Sequence, residues 1–234
     1  MSLRPAFSFL IDLSGRVLRS AWNDLYFNDH TWSVEKAHRA ALLALRAAAW
    51  RAGVESMADS LSHLAHLLSP ACPRLSEISG SIVFLDALRE LVSSIELRLV
   101  VEPGKLELRK QDSLNSIEYA IKVRNSAIAC SQSTGKPPDY VETLKSYAEK
   151  ANATIILAPN HRALIVSEAH ERLDPLDRIY REAEKIPLGA TPILLTPEEA
   201  YSLLSLPGIH ERASNWTIIE DRLSIGEAIP AKRK

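Results

Sequence analysis

Four cations lie close together in one stretch of this chain: Lys36, His38, Arg39 and Arg46 all fall between Trp32 and Arg51. Arg39 and Arg46 share one helical face and Lys36 lies close to it. Such a row meets phosphate oxygens if it faces a ligand, and is an ordinary solvated face if it does not. His63 and His66 have the i, i+3 spacing at which two imidazoles on one helix reach a common ion, but no third ligand is near in sequence. They read as surface histidines, as do His161 and His170, which flank a strand without a Cys or Asp framework. Cys72 and Cys130 are the only cysteines, too few and too far apart for a disulfide framework or a zinc quartet. No Ser-His-Asp or Cys-His set of recognisable spacing is present. This inventory predicts no metal and no cofactor.

The elements that must position these residues change character along the chain. Val34, Ala37, Ala41, Ala44, Leu45 and Ala48 recur at three- and four-residue steps, which predicts a helix over 31–52 capped by Gly53. Further helices are predicted at 16–29, 56–68, 75–100 and, after the turn Glu102-Pro103-Gly104, 113–132, making a five-helix bundle. The polar run Ser131 to Pro138 reads as a linker, with one domain over 1–135 and a second over 136–234. Beyond it the pattern alternates: helix 139–151, strands 153–157 and 163–166, helix 175–186, strand 192–195, helix 197–205 and a closing strand 216–219 before the basic tail Lys232-Arg233-Lys234. Asp174-Pro175-Leu176-Asp177 and Thr196-Pro197-Glu198-Glu199 both read as capped helix starts with proline at the first helical position. The fold class is therefore α plus α/β, a helical bundle followed by a small α/β domain.

Composition narrows the function classes. The chain has 234 residues, 46% hydrophobic and 24% charged, enough apolar material for real cores. With 28 Lys+Arg against 29 Asp+Glu the net charge is -1, so nothing global draws it to nucleic acid or an anionic membrane, and any basic site must be local. The apolar stretch before Asp12 is too short to span a bilayer and lacks a small-residue cleavage site. A soluble, cytoplasmic protein with reduced cysteines and no membrane partner is expected.

Trp22-Asn-Asp-Leu25, the run Trp32 to Leu45, and Asn115-Ser-Ile-Glu-Tyr-Ala-Ile-Lys122 together resemble the HEPN family, small all-α prokaryotic domains that often accompany minimal nucleotidyltransferases (MNT). The second half resembles the MNT domain itself. Ala163 to Ile179 is similar to that family's second strand and following helix start, Pro192 to Glu199 to its third strand and next helix, and Trp216 to Arg222 to its closing strand. The resemblance implies a fused HEPN-MNT protein of toxin-antitoxin or defence type, acting on a nucleotide, an RNA or a partner protein.

The same resemblance shows what is missing. An MNT enzyme needs a Gly-Ser turn for the triphosphate and three carboxylates for two magnesium ions. Here Leu157-Ala-Pro-Asn-His-Arg162 joins the first two strands directly, the paired acidic positions fall on Asn160 and Arg162, and the third on or near Thr191. A cation at a metal position repels Mg²⁺. In the helical half, Arg124-Asn125 stands where the HEPN ribonuclease motif Arg-x4-6-His opens, but the residue five on is Ala129 and no histidine follows before His161. The expectation is a binding protein with an inactive transferase-like domain, Lys36, His38, Arg39, Arg46, Arg124 and Asn125 being the candidate ligand contacts. The helical half is also expected to pair as a homodimer through its alanine-rich faces. The rivals are an active enzyme, either a transferase using displaced acids such as Glu168, Glu171 or Asp174 or a HEPN-type ribonuclease, and a purely structural scaffold that dimerises through the same faces and keeps no ligand.

Overall fold

Alanine decides the architecture of the helical half. In the computed structural model, which describes residues 4–56, 58–101, 106–131 and 135–230, Ala37, Ala40, Ala41, Ala44, Ala47 and Ala48 are all fully buried. They lie on α2 (His30–Ala52), which runs between α1 (Arg4–Tyr26) and α7 (Lys110–Ile128). With only methyl groups between the axes, backbones approach closely enough for Ser14 Oγ to donate to the Ala40 carbonyl at 2.8 Å and Ser33 Oγ to the Ala21 carbonyl at 3.1 Å. The alanine faces expected to meet a second copy are thus consumed inside one chain. Asp29 caps the start of α2 through the Trp32 amide, and Gly53 ends it at φ 71.

Around α2 stand α3 (Leu61–Leu68), the single turn α4 (Arg74–Glu77), α5 (Ser79–Ser93) and the short α6 (Ile95–Val100). The expected continuous helix over 75–100 is therefore three. Ile78 leaves helical geometry at φ -111, ψ 21, and Ser94 turns extended to cap α6 through the Leu97 amide. Local serine capping outcompetes helix continuation there, as it does at Ser60, which delays α3 to Leu61. In the other direction α1 begins well before residue 16. Seven helices, not five, precede residue 131 among the described residues, and all described strands follow residue 139. The turn 102–104 and the tail 232–234 lie outside the described residues, as do linker positions 132–134.

The second half opens with α8 (Tyr140–Ala151) and continues with β1 (Thr154–Ala158), β2 (Arg162–Val166), α9 (Pro175–Glu182), β3 (Thr191–Leu195), α10 (Pro197–Ser205), α11 (Pro207–Ala213) and β4 (Thr217–Glu220). The sheet order is β3-β2-β1-β4, with β2 and β3 parallel and the other pairs antiparallel. Thr196 and Glu199 form the expected capping box, whereas Asp174 makes no side-chain cap bond and α9 rests on its N-terminal proline.

The sheet is apolar on both faces, so its strands read as continuous hydrophobic runs. Leu164, Val166, Ile193 and Leu195 pack against α10 and α11 through Leu203, Leu204 and Ile209. Ile155, Ala163, Ile165 and Leu194 pack on the other side with Leu144 and Tyr147 of α8, Ile179 of α9, and Val83, Phe84, Ala87 and Leu91 of α5. Helix α5 also sends Ile82 and Leu85 into the alanine-lined core. It belongs to both halves, and the apolar core continues across the change in periodicity at residues 131–139.

Cys72 and Cys130 form a disulfide joining the segment before α4 to the end of α7, with Cα atoms 4.7 Å apart. The expectation of two unpaired thiols is corrected: the pair lies far apart in sequence but side by side in the bundle. Closing a loop of 58 residues removes unfolded-state entropy worth about 4 kcal/mol. Ellman titration of denatured, unreduced protein is therefore expected to find no free thiol, and reduction is expected to lower the denaturation midpoint. Two thiols in freshly denatured protein would contradict the pairing.

Candidate functional site

The site is built on α5, where Asp86 and Glu90 sit one turn apart on the face turned toward the first residues of β2 and β3. Asp86 is 1% exposed. A carboxylate there survives only if its oxygens are filled, and they are: Oδ1 accepts from His38 Nε2 and the Leu61 amide, both at 2.9 Å. Oδ2 accepts from Ser60 Oγ at 2.9 Å, the Ser62 amide at 2.8 Å and Thr191 Oγ1 at 3.2 Å. Two of these donors are first-turn amides of α3, whose positive helix end favours an anion. Burial pushes the Asp86 carboxyl up, but the His38 contact and the amides outweigh it and hold it below its usual value.

One turn on, Glu90 is 3% exposed and paired with Arg162, the first residue of β2, at 2.9 Å, with Arg89 at 3.7 Å. Burial raises the Glu90 carboxyl above its ordinary value, and Arg162 and Arg89 offset only part of that. Arg162 is presented by the loop Pro159-Asn160-His161, which closes the β1–β2 hairpin. Asn160 and His161 take φ 60 and 57, a left-handed pair that turns the chain sharply. The His161 ring then stacks on His63 of α3 with centroids 3.5 Å apart, and its carbonyl accepts the Thr191 amide at 2.7 Å. His63 Nδ1 meets the carbonyl of Gly189 at 3.0 Å. Gly189 has φ 144, and a Cβ there would lie 2.5 Å from the Tyr140 Cβ, so this close approach requires glycine.

Beside these groups an open-sided cavity of about 570 Å³ lies between the helical half and the sheet, lined by polar side chains that include His38, Asp86, Arg89, Glu90, Asn160 and Arg162. A second space of about 170 Å³ lies on the far side of the Glu90–Arg162 pair, lined mainly by apolar residues such as Leu97, Leu164, Ile193 and Trp216. Glu90, Asn160 and Arg162 are common to both. The larger volume is in the range of small-molecule sites.

Of the residues singled out from sequence, Asn160, Arg162, Thr191 and His38 converge on this cavity, and Arg46 reaches its rim through Asp59 at 2.7 Å. Lys36, Arg39, Arg124 and Asn125 line neither space. Lys36 is paired with Asp24 of α1 at 2.6 Å, Arg39 is exposed, and Arg124 lies against Gly15. The second helix therefore presents no common cationic face: His38 points inward and is held by Asp86. His66 and His170 are buried rather than on the surface, His66 against Tyr140 and His170 with Nδ1 2.8 Å from the Leu195 carbonyl. Glu168, Glu171 and Asp174 are exposed beyond the C-terminal end of β2, at the opposite end from Arg162. Arg178 fixes Glu199, the capping residue of α10, with a bond of 3.1 Å from Nη2.

Sequence reading missed Asp86, Arg89 and Glu90. The available signal was two acids at i, i+4 inside Ile82-Val-Phe-Leu-Asp86-Ala-Leu-Arg-Glu90-Leu-Val92, a stretch otherwise apolar enough for a core helix. As a metal site the cavity is poor. All of Asp86's lone-pair directions are used, Glu90 is held by a guanidinium, and among the described residues no group of three His, Cys, Asp or Glu converges. Comparison with protein-family models, with curated proteins and with solved structures finds no match for this chain.

Burial lowers the pKa of His63, His66, His161 and His170, three of them at the junction of the halves. Each takes its proton more readily when unfolded, so stability is lost as pH falls through 6.5, the unfolded histidine value, toward their folded values. Glu90 acts oppositely: its raised pKa gains stability as pH falls toward 4.5. Urea midpoints are predicted to fall between pH 7.5 and 5.5, with a shallower slope in His161→Ala. An unchanged slope in that variant would contradict the junction stack as a titrating contact.

Proposed function

We propose that this chain is a binding protein whose ligand sits in the cavity between the helical half and the sheet, and that the ligand is a nucleotide or a nucleotide at an RNA end. The chain is on this proposal a HEPN-MNT type protein whose transferase-like domain has lost its chemistry, serving a toxin-antitoxin or defence-type system. The observation that carries it is the convergence of Asn160, Arg162 and Thr191 on one cavity with His38 and Arg89 from the helical half. These are the positions where the resemblance calls for metal-holding acids, and an arginine there offers a fork to a phosphate without a metal. The pieces behind the resemblance also fall on β2 with α9, β3 with α10, and β4. The alanine faces are internal and give no surface for self-association.

In a thermal-shift screen of nucleoside mono- and triphosphates with and without Mg²⁺, a native-state ligand at a hundredfold excess over its Kd adds about 2.7 kcal/mol. That corresponds to a rise of roughly 5–10 °C for a chain of this size. The rise is expected without metal and is expected to vanish in Arg162→Ala, with no label transferred from any triphosphate. Metal-dependent transfer that survives Arg162→Ala and disappears on Glu168→Gln or Asp174→Asn would establish the enzyme instead.

A further inference from the structure

We propose that Glu90 decides which ligands the junction cavity accepts: it holds Arg162 in this structure, and an anionic ligand group takes Arg162 over only as Glu90 takes up a proton. This rests on the reading of the cavity as a ligand site. Glu90 is the carboxylate at the wall shared by both spaces, nearly inaccessible, and its charge is balanced chiefly by Arg162. The other acids near it are partnered too, Glu35 through the same Arg89. Asp86, on its own helix, is filled by His38 of α2 and four further donors. Glu35 of α2 shares Arg89 at 3.6 Å, Asp59 takes Arg46 at 2.7 Å, and Glu96 of α6 faces Arg212 of α11 at 3.6 Å. From β3 the lining residues Thr191 and Ile193 bring no charge, and the β1–β2 loop brings His161.

The charge count then forces the exchange. If a phosphate or carboxylate oxygen occupies the Arg162 fork, Glu90 is left as an ion out of water with only the longer Arg89 contact, which is costly. Taking one proton from solvent turns it into a neutral acid and removes that cost. Its pKa, already raised by burial in this structure, favours that uptake. Neutral ligands would leave the Glu90–Arg162 pair intact and fill the larger space alone, so the pair sorts ligands by charge.

The test uses sulfate, an anion that does not itself titrate near neutrality, followed by calorimetry in buffers of different ionisation heat between pH 6 and 8. Wild-type protein is expected to take up close to one proton per sulfate, with affinity falling up to tenfold per pH unit. Glu90→Gln is expected to bind sulfate at least tenfold more tightly at pH 8, with no pH dependence and no proton uptake beyond that of the junction histidines. Arg162→Gln, compared by circular dichroism melt to confirm folding, is expected to lose sulfate binding. Equal proton uptake in wild type and Glu90→Gln, or sulfate binding that survives Arg162→Gln, would overturn the proposal, and if Glu90→Gln fails to fold, sulfate binding by wild type without proton uptake overturns it. A nucleotide-induced shift without proton uptake overturns this inference and leaves the binding function standing. Sulfate-linked proton uptake without any nucleotide shift does the reverse.

Discussion

A single buried carboxylate ties this molecule together. Asp86 is reached by α2 through His38, by the N-terminus of α3 through Ser60, Leu61 and Ser62, and by β3 through Thr191, so three separated segments meet on two oxygen atoms carried by α5. An ion taken out of water is a large penalty, and it is offset here because each oxygen accepts several well-placed donors. The arrangement is strict in consequence. Any one donor displaced leaves charge unsatisfied at the point where helices and sheet touch, and loss of the carboxylate strands two helix amides, a buried imidazole and a threonine at once, a class of change that costs several kcal/mol.

Helix α5 is what allows one residue to have this reach. Its apolar positions serve two cores, Ile82 and Leu85 toward the alanine-rich bundle and Val83, Ala87 and Leu91 toward the sheet. A second polar contact joins the halves: Tyr180 of α9 donates to the buried Asp112 of α7 at 2.7 Å and accepts from Asn115 at 2.9 Å. Burial, then the Asp112 contact, push the Tyr180 hydroxyl well above its ordinary pKa, so it stays a donor. Both contacts join the two halves, and the cavity lies where Glu90, Arg162 and the hairpin loop converge. The cavity is the space that apolar packing leaves there.

The strands were legible because β-branched and leucine runs bounded by Pro159-Asn160 and Thr196-Pro197 admit few other readings, and each lies within about two residues of its expected place. The long alanine helix was legible for the same reason. Its role was not: a helix with small residues on several faces reads equally as a dimer surface or as the centre of a bundle, and only the packing of α1 and α7 decides between them. The site divides similarly. Asn160, Arg162 and Thr191 could be located by order along the sheet, while Asp86 and Glu90 come from a helix that sequence assigns to the other half. Cys72 and Cys130 escaped for a related reason, since their proximity is a property of the bundle and not of their spacing.

The claim that one carboxylate couples the two halves is tested most directly by native-state hydrogen exchange on wild type and Asp86→Asn. Asparagine keeps the shape of the side chain but replaces one accepting oxygen by a donor, facing Ser60, Ser62 and Thr191 or His38 and Leu61 according to its orientation. The account predicts that protection falls together at the Leu61 and Ser62 amides of α3 and at the Thr191 amide bonded to His161, in both halves of the chain. Loss confined to α3, with exchange at Thr191 unchanged, would contradict it and make Asp86 a helix cap alone.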